Sequence, residues 1–564
     1  MSAPTAVPRR AGSTRLPASA DAIVIGAGPN GLVAANLLAD AGWQVLVLEA
    51  QPTSGGAVRT AELTVPGFHH DVFSAFYPFG AASPIIASLG LEDFGLTWTR
   101  APLVLGHPTL DGPSGLLSMV HAETEASLDA FAPGDGDRWR EVMSTWDRVA
   151  DPLLGAMFTP FPPVRAAARL AGRLGPRGAR SFVRDALLPV RRLADERFEG
   201  VGAGLVLAGL ALHTDLAPEA AASGFFGWLL AGLAEQVGFP VPVGGAQRLI
   251  DALVARLEAR GGEVICGARV DRILVRDGAA TGVAAGGQSV LARRGVLADV
   301  GAPTLFADMV GLDLLPARVR VDLARFERGS STVKVDWALS SPIPWRDPQL
   351  NRAGTVHLTN SMHELSEYAN HLANQQLPSH PFLLIGQMTT TDPTRSPPGT
   401  ETAWAYTHVP QELRVDAAGE LDATWSPSST AAFADRMEAR IEAHAPGFRD
   451  RILARHVLAP PDFEHHDENL VGGEIGGGTA QLHQQLVFRP ISGLARAETP
   501  IDRLYLASAS AHPGGGVHGA PGSNAARAAL LREGRVGPAL ALSKRLLRAT
   551  DHPWSVGSRS ARGA

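Results

Sequence analysis

Across 564 residues the chain has one cysteine, Cys266. A single thiol excludes an intramolecular disulfide, a Cys-x-x-Cys redox pair and any zinc site built on cysteines. Tyrosine is almost as scarce, with 4 in the chain, which disfavours a binding cage built from tyrosine rings. Neither sign of charge dominates: 50 Lys and Arg against 56 Asp and Glu leave a formal net charge of −6. No overall field therefore draws the chain to nucleic acid or anionic lipid. Long apolar runs are missing as well. The longest, Gly200 to Leu212, is about half of what a membrane span needs. Residues 1–20 are rich in Pro, Ala, Ser and Arg without the apolar stretch of a secretory signal, and are expected to be a disordered tail. There is no Gly-x-Ser-x-Gly serine, Walker loop, nucleic-acid motif or helical His pair at i, i+4. The expectation is a cytoplasmic protein with no metal site and no nucleic-acid partner, its oligomeric state open.

What is present is core-rich: 45% of residues are hydrophobic and 19% charged, and the length exceeds one ordinary domain. Asp21 to Thr60 reads "DAIVIGAGPNGLVAANLLADAGWQVLVLEAQPTSGGAVRT". A β-branched run leads into Gly26, Gly28 and Gly31 in G-x-G-x-x-G spacing, then a helical stretch and a second apolar run ending at Glu49. The first glycine permits a tight turn, the second admits a pyrophosphate to the backbone, and the third lets helix pack on strand. Amides at the helix start, around Pro29 and Asn30, then face phosphate. Glu49 and Ala50 stand where ribose hydroxyls would lie, and an acid there disfavours a 2′-phosphate. Beyond them come Gly55, Gly56, Ala57 and Arg59. A second close backbone approach with a guanidinium suits a diphosphate that continues past the adenosine half.

These residues, in the pattern GxGxxG, then E, then GGxxRT, resemble the flavin amine oxidase and phytoene desaturase superfamily, whose cofactor is FAD. The resemblance extends over nearly the whole chain. "HPGGGVHGAPGSNAA", His512 to Ala526, is similar to the C-terminal flavin motif of phytoene desaturase-type proteins. "GFHHDVFSAFYP", "TVKVDWAL" and "LVGGEIGGGTAQLHQQLVFRP" resemble the subgroup called pyridine nucleotide-disulphide oxidoreductase domain-containing proteins. The fold implied is α/β: a Rossmann-like FAD-binding domain drawn from 21–80, 240–330 and 470–545, with a discontinuous α+β substrate-binding domain from 81–239 and 331–469. A flexible C-terminus would span 546–564. The resemblance also implies that Val270 contacts adenine through its backbone and that Ser508, Gly515, Gly516 and Val517 line the flavin, with a helix opening near Val517.

Candidates for the substrate side are fewer. Phe161 to Arg192 holds eight arginines and one acid, readable as a solvated helical pair or as a surface resting on a membrane. The apolar helices expected at Gly200–Leu212 and Ala220–Ala234 suit a core or cavity lining, and His213 and Asp215 between them suit either a turn or a cavity acid/base. "SSTVKVDWAL" alternates as a strand, with Thr332, Lys334 and Asp336 on one face. The superfamily carries a lysine in a similar strand that holds a water near the flavin; the alternative is a lysine paired with Asp336. Asp462, Glu464, His465, His466 and Asp467 read as a polar loop rather than a metal site. His483, Gln484 and Arg489 are further candidates beside the flavin. The function implied is FAD-dependent hydride abstraction from a C–H bond of a largely apolar, isoprenoid-like substrate. An amine oxidase and a non-catalytic lipid-binding escort are the alternatives.

Overall fold

The computed structural model describes residues 15–534. The tail expected over 1–20 lies outside the described residues up to position 14, and its last part is corrected, because a strand already begins at Ser19 (Ser19–Ile25). The C-terminal segment 546–564 lies wholly outside.

Two seven-stranded sheets organise the chain. In the first, Ser19–Ile25 is fully interior and pairs in parallel with Val45–Glu49 on one side and Gln288–Ala298 on the other. Glu263–Cys266 extends it beyond Val45–Glu49, and Leu504–Leu506 joins Gln288–Ala298. Val270–Arg276 and Ala279–Ala285 form an antiparallel hairpin at the far edge. The turn between them places Asp277 and Gly278 at φ 51° and 75°, the pair of positive φ values that a type I′ hairpin requires. Val45–Glu49 and the second half of Ser19–Ile25 are near-continuous apolar runs because both of their faces are covered.

Helix Pro29–Asp40 leaves the first strand at Gly26, whose φ of 93° excludes most side chains. It is buried between helices Gln247–Ala259 and Ala520–Glu533. The second crossing is very close: a Cβ on Gly522 would stand 1.9 Å from the Asn30 carbonyl oxygen. The other side is tied by polar groups, with Arg256 Nη1 donating to Asn36 Oδ1 at 3.0 Å and Nη2 to Asp40 at 2.9 Å.

The second sheet runs Ile452–Leu458, Ser331–Leu339, Glu401–Val409, Leu383–Gln387, Ala353–Leu358, Leu103–His107, Gly115–Leu117. One face packs on helix Pro427–His444 through Trp337, Phe433 and Met437. The other face carries the alternate residues, and helices Val201–Ala211 and Ser223–Val237 lie over part of it. Both helices are almost entirely buried. By contrast, helix Val164–Leu187 has no buried residue and is broken at Gly175, ahead of Pro176. The proline breaks thus divide the arginine-rich stretch into short exposed helices, as its sequence indicates.

Candidate functional site

A continuous cavity of about 830 Å³ runs from the Gly26–Asn30 turn, along the inner edge of the first sheet, to the open face of the second. At its first end the Glu49 carboxylate, at the tip of its strand, accepts from Ala27 N at 2.7 Å and Gln51 N at 2.8 Å. Gly55 N donates to Ala27 O at 3.0 Å, fastening the second glycine turn to the first. A Cβ on Gly31 would meet Gly26 O at 2.2 Å, and one on Gly56 would meet Gly28 Cα at 3.3 Å. Side chains at these positions would fill the cradle. Asn30 Oδ1, buried at the cavity wall, has no hydrogen-bond partner among the described residues. A cradle kept open by glycines, with an unmet polar atom facing it and an acid at the ribose position, fits the adenosine diphosphate half of FAD.

Of the residues expected to hold the cofactor, Gly26, Gly28, Pro29, Asn30, Glu49, Ala50, Gly56, Ala57, Val270, Ser508, Gly515, Gly516 and Val517 line this cavity. Gly31 and Gly55 stand behind the wall and shape it by letting backbone approach backbone. Arg59 stands behind the lining residues: its guanidinium donates to the His466 carbonyl at 2.9 Å and lies 5.2 Å over the Phe73 ring, while its buried Nε has no hydrogen-bond partner among the described residues.

Sequence reasoning missed two acids here. Asp299, at the end of Gln288–Ala298, accepts from Gly31 N at 2.8 Å, and a Cβ on Gly28 would approach its Oδ2 to 3.0 Å. Burial, opposed by the Gly31 bond and reinforced by Asp467 and Glu49, pushes its pKa up to about 8. Asp467 is raised too, mainly by burial. An acid just past the carboxyl end of a parallel strand was the signal available for Asp299. The polar loop expected around 462–467 is corrected: all of it but Asp467 belongs to helix Pro460–His466, and no metal-holding group of side chains occurs among the described residues.

At the flavin end two glycine-rich loops meet. Glu474 accepts from Gly478 N at 3.0 Å and from Gly476 N. Arg489, fully buried, donates to Gly476 O at 2.9 Å, Thr479 O at 3.0 Å and Ala509 O at 2.8 Å, clamping 476–479 onto 508–510. Burial lowers its pKa to about 10, which leaves it charged. Of its two neighbours in the sequence reading, His483 is corrected: it is 60% exposed and pairs with Glu327. Gln484 is buried but bonds the Glu327 backbone. The helix expected near Val517 opens later, at Ala520, with Gly519 as its N-cap. His518 Nδ1 accepts from Ala520 N at 3.1 Å, and burial holds its imidazole near pKa 4.

The second sheet forms the cavity floor. Pairing sets Lys334 opposite Tyr406, Tyr406 opposite Leu384, and Leu384 opposite His357, one row across four strands. Neighbouring rows bring Trp404 and, at the other side, Thr332 opposite His408. "ETAWAYTHV" carried this face in its period of two, a signal left unread. Above the floor, His213 bridges Tyr406 Oη (3.3 Å from Nδ1) and His357 Nε2 (3.1 Å from Nε2). Burial lowers the His213 pKa to about 3, so it is neutral near pH 7. It lines the cavity, as does Asp215, whose carboxylate accepts from Ala480 N at 2.7 Å and from Thr479 Oγ1. Lys334 is corrected. Nζ stands 2.5 Å from both oxygens of Asp336 and 3.0 Å from Asp71 O. Lys334 lines the cavity while making the pairing with Asp336 that the sequence offered as the alternative.

A glycine-lined dinucleotide cradle, a second glycine-rich loop pair and a substrate floor on a separate sheet define a FAD-dependent oxidoreductase of the flavin amine oxidase and phytoene desaturase superfamily. Residues 24–86 match the family described as NAD(P)-binding Rossmann-like domain. The chain is 30% identical to rat (Rattus norvegicus) pyridine nucleotide-disulfide oxidoreductase domain-containing protein 2, over 90% of this chain and 92% of the relative. It belongs to that family. A limonene dehydrogenase polypeptide of Castellaniella defragrans is 26% identical, covering 90% of this chain and 94% of its own. Neurosporene-forming phytoene desaturase of Rhodobacter capsulatus is 25% identical, covering 89% and 92%. Among solved structures, putrescine oxidase bound to putrescine has the same fold, with a TM-score of 0.56 at 16% identity over 91% of this chain and 98% of that one. The family's name mentions disulfides, yet one cysteine cannot make a redox pair.

Proposed function

We propose that this protein takes a hydride from a C–H bond of a largely apolar substrate, in a desaturase- or dehydrogenase-type reaction. Bound FAD supplies the electron-accepting ring. Pro29, Asn30, Glu49 and the 508–517 loop would hold it, and the floor of the second sheet would present the substrate to it. The observation that carries this reading is the character of that floor and its roof: Phe76, Phe226, Leu230, Phe239, Leu384 and Trp404 surround the cavity where it leaves the flavin loops. Apolar walls exclude water and favour hydrocarbon.

The same residues disfavour an amine. Trp404 and Tyr406 stack on each other, centroids 5.9 Å apart at 21°. Two faces that sandwich a substrate need about 7 Å, twice an ordinary 3.5 Å contact. The Lys334 ammonium already lies 5.8 Å from the Trp404 centroid, so a resident cation occupies the face that would attract another. Escort-type lipid binding without FAD is opposed by the complete cradle.

The test is anaerobic bleaching of the flavin in purified protein. Isoprenoid alkenes should bleach it, and putrescine or cyclohexylamine should not. Bleaching by amines alone would overturn the reading, and a colourless protein that cannot be reconstituted with FAD would leave only the escort role. A lipophilic substrate also gives purpose to the exposed arginine-rich helices of 164–187, which we propose rest on an anionic bilayer surface.

A further inference from the structure

Two buried polar atoms on the cavity floor have no hydrogen-bond partner among the described residues: Thr332 Oγ1 and His408 Nδ1. They are neighbours by construction of the sheet. Thr332 faces His408 across the antiparallel strands Ser331–Leu339 and Glu401–Val409, and directly opposed side chains stand about 4.5–5.5 Å apart at Cβ. Both residues line the cavity, at 2% and 4% exposure. Buried polar atoms are as a rule bonded, and each exception needs a reason.

The hydrogen-bonding sense of the pair can be assigned. His408 Nε2 lies 3.2 Å from Leu212 O. A carbonyl only accepts, so Nε2 carries the hydrogen; the Ser331 carbonyl also stands beside the ring but makes no hydrogen bond with Nδ1, which presents a lone pair. Burial, partly opposed by the Asp215 charge and by backbone carbonyls, keeps the ring neutral by lowering its pKa. The Thr332 hydroxyl can donate. One donor and one acceptor, neither bonded within the protein, therefore belong to neighbouring residues of the same cavity wall.

The matching group donates and accepts at a single atom. An ether or ketone oxygen only accepts, and an ammonium only donates. An alcohol does both.

Resting on the reading that the cavity takes an apolar substrate, we propose that this substrate bears a hydroxyl group, held between Thr332 Oγ1 and His408 Nδ1. The hydroxyl fixes the orientation of a molecule that hydrophobic contact alone would let slide, because apolar burial is non-directional.

The experiment compares perillyl alcohol with limonene, and phytol with phytene, on the FAD-loaded protein, following binding by calorimetry and by perturbation of the flavin spectrum. Each pair differs by one hydroxyl. The wild-type protein should bind each alcohol about tenfold more tightly than its hydrocarbon, the scale of one well-made buried hydrogen bond. Thr332→Val, nearly isosteric, should remove most of that gap by weakening the alcohols alone, and Thr332→Ser should restore it. Equal affinities for alcohol and hydrocarbon in the wild type would overturn the proposal, as would a gap that survives in Thr332→Val. Binding of the hydrocarbons with no preference for alcohols would leave the apolar-substrate reading standing while this one falls. If no probe binds, the apolar-substrate reading fails and takes the hydroxyl site with it.

Discussion

A lysine on a strand whose other members face a flavin cavity can be a catalytic tool or a structural counter-ion, and its neighbours decide which. Lys334 and Asp336 are two residues apart on one face, both buried, and they saturate each other. Burial alone would raise the Asp336 pKa; the Lys334 charge and the bonds from His70 and Lys334 outweigh it and hold it below the usual carboxylate range. Replacing Lys334 by Met strands that carboxylate, so we expect a loss of about 3–5 kcal/mol in thermal or denaturant unfolding. Flavin reoxidation, measured on the surviving folded fraction, should stay at the wild-type rate; a slowed rate at unchanged stability would return the lysine to the chemistry. Asp299 titrates the other way. Its folded pKa, about 8, lies above its unfolded value, so the folded state binds the extra proton. Its contribution is complete below about pH 4 and is lost as pH rises toward 8, at up to about 1.4 kcal/mol per pH unit. Asp299→Asn should flatten that slope in melts taken across pH 4–9, while an unchanged slope would refute the assignment. The position of Asp299 after a strand was readable in the sequence, but its partner was not, because the amide of Gly31 is 268 positions away.

Elements were legible wherever a local pattern had one physical meaning. The strand–turn–helix around the Gly26, Gly28 and Gly31 turn follows from period and turn chemistry, and it formed as expected except that its strand starts early, at Ser19. The last helix shows the limit. Its flavin loop was recognisable, but His518 and Gly519 cap the helix beyond the loop, which delays its start to Ala520. Crossings between elements depend on distant glycines: Gly522 leaves no room for a side chain because the Asn30 carbonyl lies directly beneath it. Gly522→Val should force apart helices Pro29–Asp40 and Ala520–Glu533, costing about 1–3 kcal/mol or more by overpacking and releasing FAD. Released flavin fluorescence is the readout, and full retention of flavin would refute the crossing as a support of the cradle. Helix Val164–Leu187 poses a different question: Leu170, Leu174 and Phe182 pack against the core, while other apolar residues of the helix stay exposed. Val164, Val183 and Leu187 are 68%, 58% and 53% exposed, while Arg173 and Arg184 turn to Asp151 and Glu196. Flotation with phosphatidylserine vesicles should bind the protein at low salt. Replacing Arg165, Arg169, Arg177 and Arg180 by Gln should abolish that binding; undiminished flotation would dismiss the membrane surface.

At the scale of the molecule, the proposed function puts cofactor and substrate on different sheets, and the cavity lies where the two meet. Stability should therefore be tied to FAD. A ligand that binds only the folded state, at 100 times its Kd, adds about 2.7 kcal/mol. Removing FAD should lower the melting temperature, and adding it back should restore the loss in proportion to the logarithm of its concentration. A melting point indifferent to FAD would contradict the cradle. The substrate floor was the least legible part, because no short motif spells it: His357, Tyr406 and His408 come from strands whose neighbours are fixed by pairing, not by spacing along the chain. The first sheet has a further consequence in time. Its opening strand, Ser19–Ile25, emerges early from the ribosome, yet its partner Gln288–Ala298 follows far behind and Leu504–Leu506 comes almost last. At synthesis rates of about 5–20 residues per second, the nascent chain spends roughly a quarter of a minute to a minute with that apolar strand unmatched on one side. A cell making this protein must shelter the strand for that interval, and flavin can be loaded only after nearly the whole chain has appeared.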